Sequence, residues 1–254
     1  MNIAGKVEKL DFKGILIMMY ILFTYMFIGG LGVADFDSKV YSAYVYSNIV
    51  SWEHTVQEAA VQSEIISNDE KYRLALSYYG LIGAFLGKEE KGRAEVYLKK
   101  ATHLTKSLVD ADENDSRYLA LRGALLGFEI ALSSYKAMYL GPQSLNYINE
   151  AIEKNPENPT AWIEYGNALY YMPKFVGGDR QEAIQAYKKA IRLYEAENTD
   201  NCWLYLNSLA VLGQWYENSQ QYYLALEHYR KALRVAPDFE WVKKELLPQL
   251  ERKI

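Results

Sequence analysis

The sequence contains little cysteine and little histidine, with one Cys and three His among 254 residues. A single cysteine, Cys202, cannot form an internal disulfide, and it excludes a cysteine-based zinc site. His54 and Glu58 are four residues apart, but no third metal ligand accompanies them. We therefore expect neither a metal nor a cofactor.

Proline and glycine are also scarce, at 6 and 16 residues, too few for an all-β protein with its many turns. A hydrophobic fraction of 50% excludes wholesale disorder, and the frequent Ala, Leu, Glu, Lys and Tyr favour helix. The net charge of -4 lacks the basic excess that coats nucleic acid, so we expect no nucleic-acid partner.

The first 34 residues have the order of an export signal. Lys6, Lys9 and Lys13 precede the uncharged run 15–28, and a small-residue segment follows at 29–34. This order predicts a secretory signal peptide with cleavage before Asp35. An uncleaved N-terminal membrane anchor and a buried core helix are the alternatives, since a bilayer-spanning helix needs about twenty apolar residues.

An internal repeat is clearest near the C-terminus. Eight residues there have the spacing of a two-helix tetratricopeptide unit: Leu209, Leu212, Gly213, Tyr216, Ala225, Tyr229, Ala232 and Pro237. Small residues are expected where the two antiparallel helices approach most closely, and aromatic residues fill the remaining gap. Proline ends the second helix.

Three earlier units repeat this pattern more weakly. Their anchor glycines, with that of the last unit, are Gly80, Gly127, Gly166 and Gly213, spaced by 47, 39 and 47 residues. Two of the units contain insertions between their helices, one around Gly141 and Pro142 and the other over 172–178. These spacings overlap the period of HEAT repeats, but the complete C-terminal unit favours tetratricopeptide-like hairpins.

The predicted fold class is all-α: a right-handed α-α superhelix of tetratricopeptide-like hairpins with long inter-helix loops. Residues 1–34 are the signal or anchor, and 35–254 form the repeat domain. Within that domain, 35–67 is an N-terminal helical cap, 68–237 contains about four hairpins, and 238–254 is a C-terminal capping helix. We expect Pro248 to bend or end this last helix.

The stretch 158–190 resembles a family of exported bacterial tetratricopeptide proteins. The residues that carry the resemblance include Trp162, Ile163, Glu164, Tyr165, Gly166, Asn167, Ala168, Leu169, Tyr170, Tyr171, Met172, Pro173, Gly177 and Gly178. The similarity extends over about residues 72–250. It implies a helical-repeat protein of the cell envelope with no assigned catalysis.

The sequence contains no arrangement typical of an active site. The glycines at 177 and 178 lack the Lys and Ser or Thr of a phosphate-binding loop. No serine lies in a nucleophile elbow, and Cys202 has no neighbouring histidine. We therefore predict that the protein is not an enzyme and has no catalytic residues.

A binding surface is predicted on the first helices of the last two hairpins, which line the concave side of a tetratricopeptide stack. Its candidate residues are Asn167, Tyr170, Tyr171, Asn207, Gln214, Glu217 and Asn218. Amides and tyrosines provide adaptable hydrogen bonds and flat apolar area, which suit an extended peptide or a polar solute. The alternative is that Tyr170 and Tyr171 only support the inserted loop.

These observations predict a non-catalytic interaction scaffold of the bacterial envelope, periplasmic or anchored to the membrane through residues 15–34, that binds a protein or peptide in its groove. The second hypothesis is a solute-binding accessory subunit of a periplasmic transporter. It rests on a looser similarity of the loop at Gly177, Gly178 and Asp179 to the tetratricopeptide subunit of such transporters.

Overall fold

The computed structural model describes residues 33–61, 67–197 and 199–254. Of the predicted signal or anchor at 1–34, residues 1–32 lie outside them. The α-helices of the described residues are α1 (Val33–Val45), α2 (Ile49–Ala60), α3 (Asn68–Gly87), α4 (Lys91–Ala111), α5 (Ser116–Leu132), α6 (Ala137–Lys154), α7 (Pro159–Tyr171), α8 (Arg180–Glu195), α9 (Trp203–Asn218), α10 (Tyr222–Val235) and α11 (Leu247–Glu251). No strand occurs in these ranges, and none of their helices has the length and hydropathy needed to cross a bilayer.

The helices pack as five consecutive hairpins: α1 with α2, α3 with α4, α5 with α6, α7 with α8, and α9 with α10. Each hairpin also contacts the next one along the chain. The prediction of an all-α superhelical stack of hairpins is therefore confirmed. Side-chain caps begin several helices, among them Asp179, whose carboxylate accepts hydrogen bonds from the backbone amides of Gln181 and Glu182 before α8.

Glycines lie where the helices of three hairpins approach most closely. A Cβ atom added at Gly166 would lie 2.6 Å from Tyr187 Cδ2, and one added at Gly123 would lie 2.6 Å from Ile148 Cγ1. At Gly213 the obstructing side chain is Tyr229. Each of these three glycines therefore faces a large side chain on the second helix of its hairpin, as the repeat pattern predicts.

Two of the predicted anchor glycines have a different role. Gly127 is exposed and faces no atom within 4 Å, so the close contact in its hairpin is made by Gly123, one helical turn earlier. Gly80 faces the rings of Trp52 and Trp203 rather than a residue of α4. The sequence spacing did not distinguish these cases, because a glycine one turn away lies on nearly the same helix face.

Only one of the two predicted long loops is present. Residues 172–179, which include a 3₁₀ turn at Lys174–Val176, connect α7 to α8, and Gly177 has a φ of 106°. Between α5 and α6 the chain forms a 3₁₀ turn at Ser134–Lys136, and α6 already contains Gly141 and Pro142. Helix α6 begins before these two residues and buries Leu140, so the predicted loop around Gly141 and Pro142 is wrong.

The N-terminal hairpin does more than cover one end of the stack. The Tyr44 hydroxyl of α1 donates a hydrogen bond to Asn207 Oδ1 of α9, at 2.8 Å. The Tyr44 ring lies 5.2 Å from that of Phe239 and 5.5 Å from that of Trp203, and the Trp52 ring lies 5.4 Å from Trp203. Helix α1 thus packs on both α3 and α9 and covers the inner face of α9 near its beginning.

The C-terminal segment buries the face that the sequence predicts. Phe239, Val242, Leu246 and Leu250 are all buried. The segment is not one α-helix, because a π-helical turn at Trp241–Leu246 precedes α11. Pro248, which lies in the first turn of α11, has no amide hydrogen to continue the preceding α-helical hydrogen bonds, consistent with the wider turn before it.

The same substitution at two glycines is expected to have opposite effects. Gly166→Ala should destabilise the protein by about 1–3 kcal/mol, because the added methyl group displaces Tyr187. Gly127→Ala, in an exposed helical position, should stabilise it by about 0.5–1 kcal/mol. Urea unfolding followed by circular dichroism measures both, and a loss of stability at Gly127 would show that Gly127 does make the close contact.

Candidate functional site

The structure brings five of the seven predicted binding residues to one region, where the ends of α7 and α9 meet. Asn167, Tyr170 and Tyr171 come from α7, and Gln214 and Asn218 come from α9, one helical turn apart. All five are at least partly exposed. We refer to these five residues as the amide–tyrosine patch.

Tyr170 is the most tightly held residue of the amide–tyrosine patch. Its ring stacks on that of Trp215, with 4.0 Å between centroids and 3° between planes. The Arg180 guanidinium carbon lies 5.2 Å from the same ring, within cation–π range. Asn218 Nδ2 donates to the Tyr170 hydroxyl at 3.4 Å. The ring is therefore fixed by α8 and α9.

Tyr171 is the most exposed aromatic residue of the amide–tyrosine patch, with 73% of its surface accessible. Its ring meets those of Tyr170 and Trp215 edge to face, at 5.2 and 6.5 Å. Trp215 itself is buried. These ring contacts hold α7 against α9, whereas the alternative interpretation assigned Tyr170 and Tyr171 to supporting the 172–178 loop.

Asn207 and Glu217 lie elsewhere. Asn207 is bonded to Tyr44 and lies against α1. Glu217 is buried and accepts hydrogen bonds from the Tyr229 hydroxyl at 2.8 Å and from Lys253 Nζ at 2.7 Å. The position of Glu217 could have been predicted from the sequence. It follows Gly213 by four residues and therefore lies on the same helix face, which packs on α10.

Glu164 of α7 is a buried carboxylate that the sequence analysis did not consider as a site residue. Its Oε2 atom accepts a hydrogen bond from Asn167 Nδ2 at 3.2 Å, and its Oε1 atom is buried without a hydrogen-bond partner. Burial raises the pKa of Glu164 to about 7, although Tyr79 and Asn167 oppose the shift. The sequence does mark Glu164 in one way, because it is the only charged residue of α7.

Asn167 connects this carboxylate to the second helix of the hairpin. Its Oδ1 atom accepts a hydrogen bond from the Tyr187 hydroxyl at 2.7 Å, while its amide nitrogen binds Glu164. Both ends of the Asn167 side chain are therefore occupied by internal partners. Tyr171, Gln214 and Asn218 consequently provide the side chains of the amide–tyrosine patch that can face a ligand, and Tyr170 supports them.

The described residues contain no cluster of three or more His, Cys, Asp or Glu that could hold a metal ion. Cys202 directly precedes α9, and burial raises the pKa of its thiol, which disfavours the reactive thiolate. Burial lowers the pKa of His228, and its Nδ1 atom lies 2.9 Å from the backbone oxygen of Leu224. Neither group lies at the amide–tyrosine patch.

Glu164 is expected to make stability depend on pH. Because its folded-state pKa is about 7, above the ordinary glutamate value of 4.5, the folded protein keeps a proton that the unfolded chain releases. Stability should therefore fall as pH rises from 4.5 to 7 and level off above 7, by about 3 kcal/mol in all.

The variant Glu164→Gln removes this titration but keeps the size of the side chain. Its stability relative to the wild type should therefore be higher at pH 8 than at pH 5, as measured by urea unfolding of both proteins. Parallel stability profiles over this pH range would contradict the assignment of a raised pKa to Glu164.

The fold can be compared with those of known proteins. No protein-family model matches the sequence, and no curated protein matches it significantly. Among solved structures, the haemophore HusA from Porphyromonas gingivalis is similar, with a TM-score of 0.59 and 16% identity over 75% of this chain and 96% of HusA.

TTC0263, a thermophilic tetratricopeptide protein in Thermus thermophilus, is also similar. Its TM-score is 0.53 at 16% identity, over 82% of this chain and 90% of TTC0263. At this level of identity the likeness concerns the fold. Together with the five packed hairpins, it shows that this chain has an all-α superhelical fold of the tetratricopeptide-like kind.

Proposed function

We propose that the protein is a non-catalytic interaction scaffold that binds an extended peptide segment of a partner protein at the amide–tyrosine patch. The observation that carries this proposal is the position of Tyr170, held between Trp215 and Arg180 beside the exposed ring of Tyr171. A fixed aromatic surface beside amide side chains is typical of sites that recognise peptides.

The rigidity of the site supports this function. Ordering of side chains on binding costs about 0.5–1.5 kcal/mol for each flexible group, and the stacked Tyr170 has already lost this freedom. Gln214 and Asn218 can donate to and accept from a peptide backbone, since each amide carries both kinds of group. The patch therefore offers apolar area and backbone recognition together.

Helix α1 covers part of the concave face of α9 and so limits where a peptide could bind. Helix α1 occupies the beginning of α9, where Tyr44 is bonded to Asn207. The inner faces of α7 and α9 beyond this point lead to Tyr171 and Asn218 at the ends of the two helices. A bound peptide would cross these ends rather than follow the whole inner curve.

The solute-binding alternative requires a closed, ligand-sized space between the helix that carries Tyr170 and the helix that carries Gln214. The ring of Trp215 stacks directly on Tyr170 at 4.0 Å, which leaves no room for a molecule between those two rings. The exposed side chain of Tyr171 lies at the C-terminal end of α7. This geometry favours a peptide over an enclosed solute.

A random peptide library displayed on phage provides ligands for testing the site. Peptides selected on the full-length protein should bind Tyr171→Ala and Asn218→Ala at least about tenfold more weakly, which corresponds to about 1.4 kcal/mol for a central contact. Tyr46→Ala, which removes a half-exposed tyrosine in the α1–α2 turn, is the matched control and should bind normally. Equal binding by all variants would refute the assignment of the site.

We further propose that the protein is exported to the cell envelope, as its basic head, uncharged run 15–28 and small-residue segment 29–34 suggest. N-terminal sequencing of the protein from fractionated native cells tests this proposal. A chain that begins at Asp35 in the periplasmic fraction, or an intact chain in the membrane fraction, would support export. An intact chain in the cytosol would refute it.

A further inference from the structure

Arg180 lies against the amide–tyrosine patch with its charge unpaired. It is the first residue of α8, and its guanidinium carbon lies 5.2 Å from the centre of the Tyr170 ring. The residue is exposed, and across 33–61, 67–197 and 199–254 its side chain finds neither an ion pair nor a hydrogen bond. The guanidinium N–H groups are therefore free to bind a ligand.

Two other arginines lie this close to an aromatic ring, and both have carboxylate partners. The Arg93 guanidinium carbon is 4.1 Å from the centre of the Phe85 ring, and Arg93 is ion-paired with two glutamates. The Arg117 guanidinium carbon is 5.2 Å from the centre of the Tyr72 ring, and Arg117 is ion-paired with two aspartates. At Arg180 the ring contact is the same, but no carboxylate of the described residues completes it.

The acidic residues close to Arg180 in the sequence or at the patch are held by other groups. Asp179 accepts hydrogen bonds from two backbone amides in the first turn of α8. The Glu182 carboxylate accepts a hydrogen bond from a tyrosine hydroxyl of α7, at 2.7 Å. Glu217 is ion-paired with Lys253. These three carboxylates lower the local net charge, but none of them binds the Arg180 guanidinium.

We propose that Arg180 makes the amide–tyrosine patch selective for peptides with an aspartate or glutamate side chain, whose carboxylate it binds. The inference rests on the proposed function, because it names the charge of the segment that binds there. A guanidinium has parallel N–H donors that match the two oxygens of a carboxylate. Asn218 is bonded to the hydroxyl of the same Tyr170, and its amide can donate a further hydrogen bond.

The contact with Tyr170 makes Arg180 better suited to binding than a free surface arginine. Exposed ion pairs are weak, partly because two long side chains must be ordered when the pair forms. The Tyr170 ring is itself stacked on Trp215, and it already limits the positions of the guanidinium. Less side-chain entropy is therefore lost when a carboxylate binds.

A charge-exchange experiment on the full-length protein tests this proposal. Peptides are selected from a random library on the wild type and synthesised with an amidated C-terminus. A second version of each peptide carries Gln or Asn in place of Glu or Asp. Arg180→Met removes the charge and keeps an unbranched apolar side chain beside Tyr170. Lys189→Met is the matched control, because Lys189 also lies on α8, with its Nζ atom 3.7 Å from the centre of the Trp162 ring.

The selected peptides should contain an acidic residue, and Arg180→Met should bind them at least about fivefold more weakly than the wild type does. The amide versions should lose at least about fivefold in affinity for the wild type. They should bind Arg180→Met and the wild type equally, since no carboxylate is left to pair. Lys189→Met should bind every peptide as the wild type does.

Three results would overturn the proposal. If Arg180→Met weakened the acidic and the amide peptides equally, the role of Arg180 would be to support Tyr170. If the selected peptides depended on Tyr171 and Asn218 but lacked an acidic residue, or bound only with a free C-terminal carboxylate, the peptide site would stand without this selectivity. If neither Tyr171→Ala nor Asn218→Ala weakened binding, the proposed function would fail and this inference with it.

Discussion

The close approach of the two helices in each hairpin is the constraint on which the rest of the structure depends. At Gly166 the absence of a side chain lets the Tyr187 ring press against α7, and that position allows the Tyr187 hydroxyl to bond Asn167. Tyr187 also lies 4.3 Å from the ring of Trp215, which supports Tyr170 from the other side. A packing requirement in the hairpin core thus fixes the aromatic surface at the end of α7.

The inner face of the stack is divided between internal packing and exposed surface. Aromatic residues of the N-terminal hairpin, Tyr44 and Trp52, meet Trp203 and Phe239 and join the first hairpin to the C-terminal part of the chain. This contact buries the beginning of α9. The amide–tyrosine patch lies at the opposite ends of α7 and α9, where Tyr171 is exposed.

Sequence spacing was sufficient to predict the hairpins, because the helical period and the glycine-to-ring contacts are local. It located Tyr170, Tyr171 and Asn218 on neighbouring helix ends for the same reason. It could not place Asn207 under α1, since that contact joins residues 163 positions apart. It also missed Glu164, whose raised pKa depends on burial by other hairpins, and it placed Glu217 on the inner wall although Gly213 indicated the face toward α10.

The central claim is that α1 lies on α9 and leaves only the far end of the inner face open. A double-mutant cycle with Tyr44→Phe and Asn207→Ala, followed by urea unfolding, tests that contact directly. Since the two side chains share a hydrogen bond of 2.8 Å, the cycle should give a coupling energy of about 1 kcal/mol. Strictly additive effects would contradict the account, because Tyr44 of α1 and Asn207 of α9 would then not be in contact.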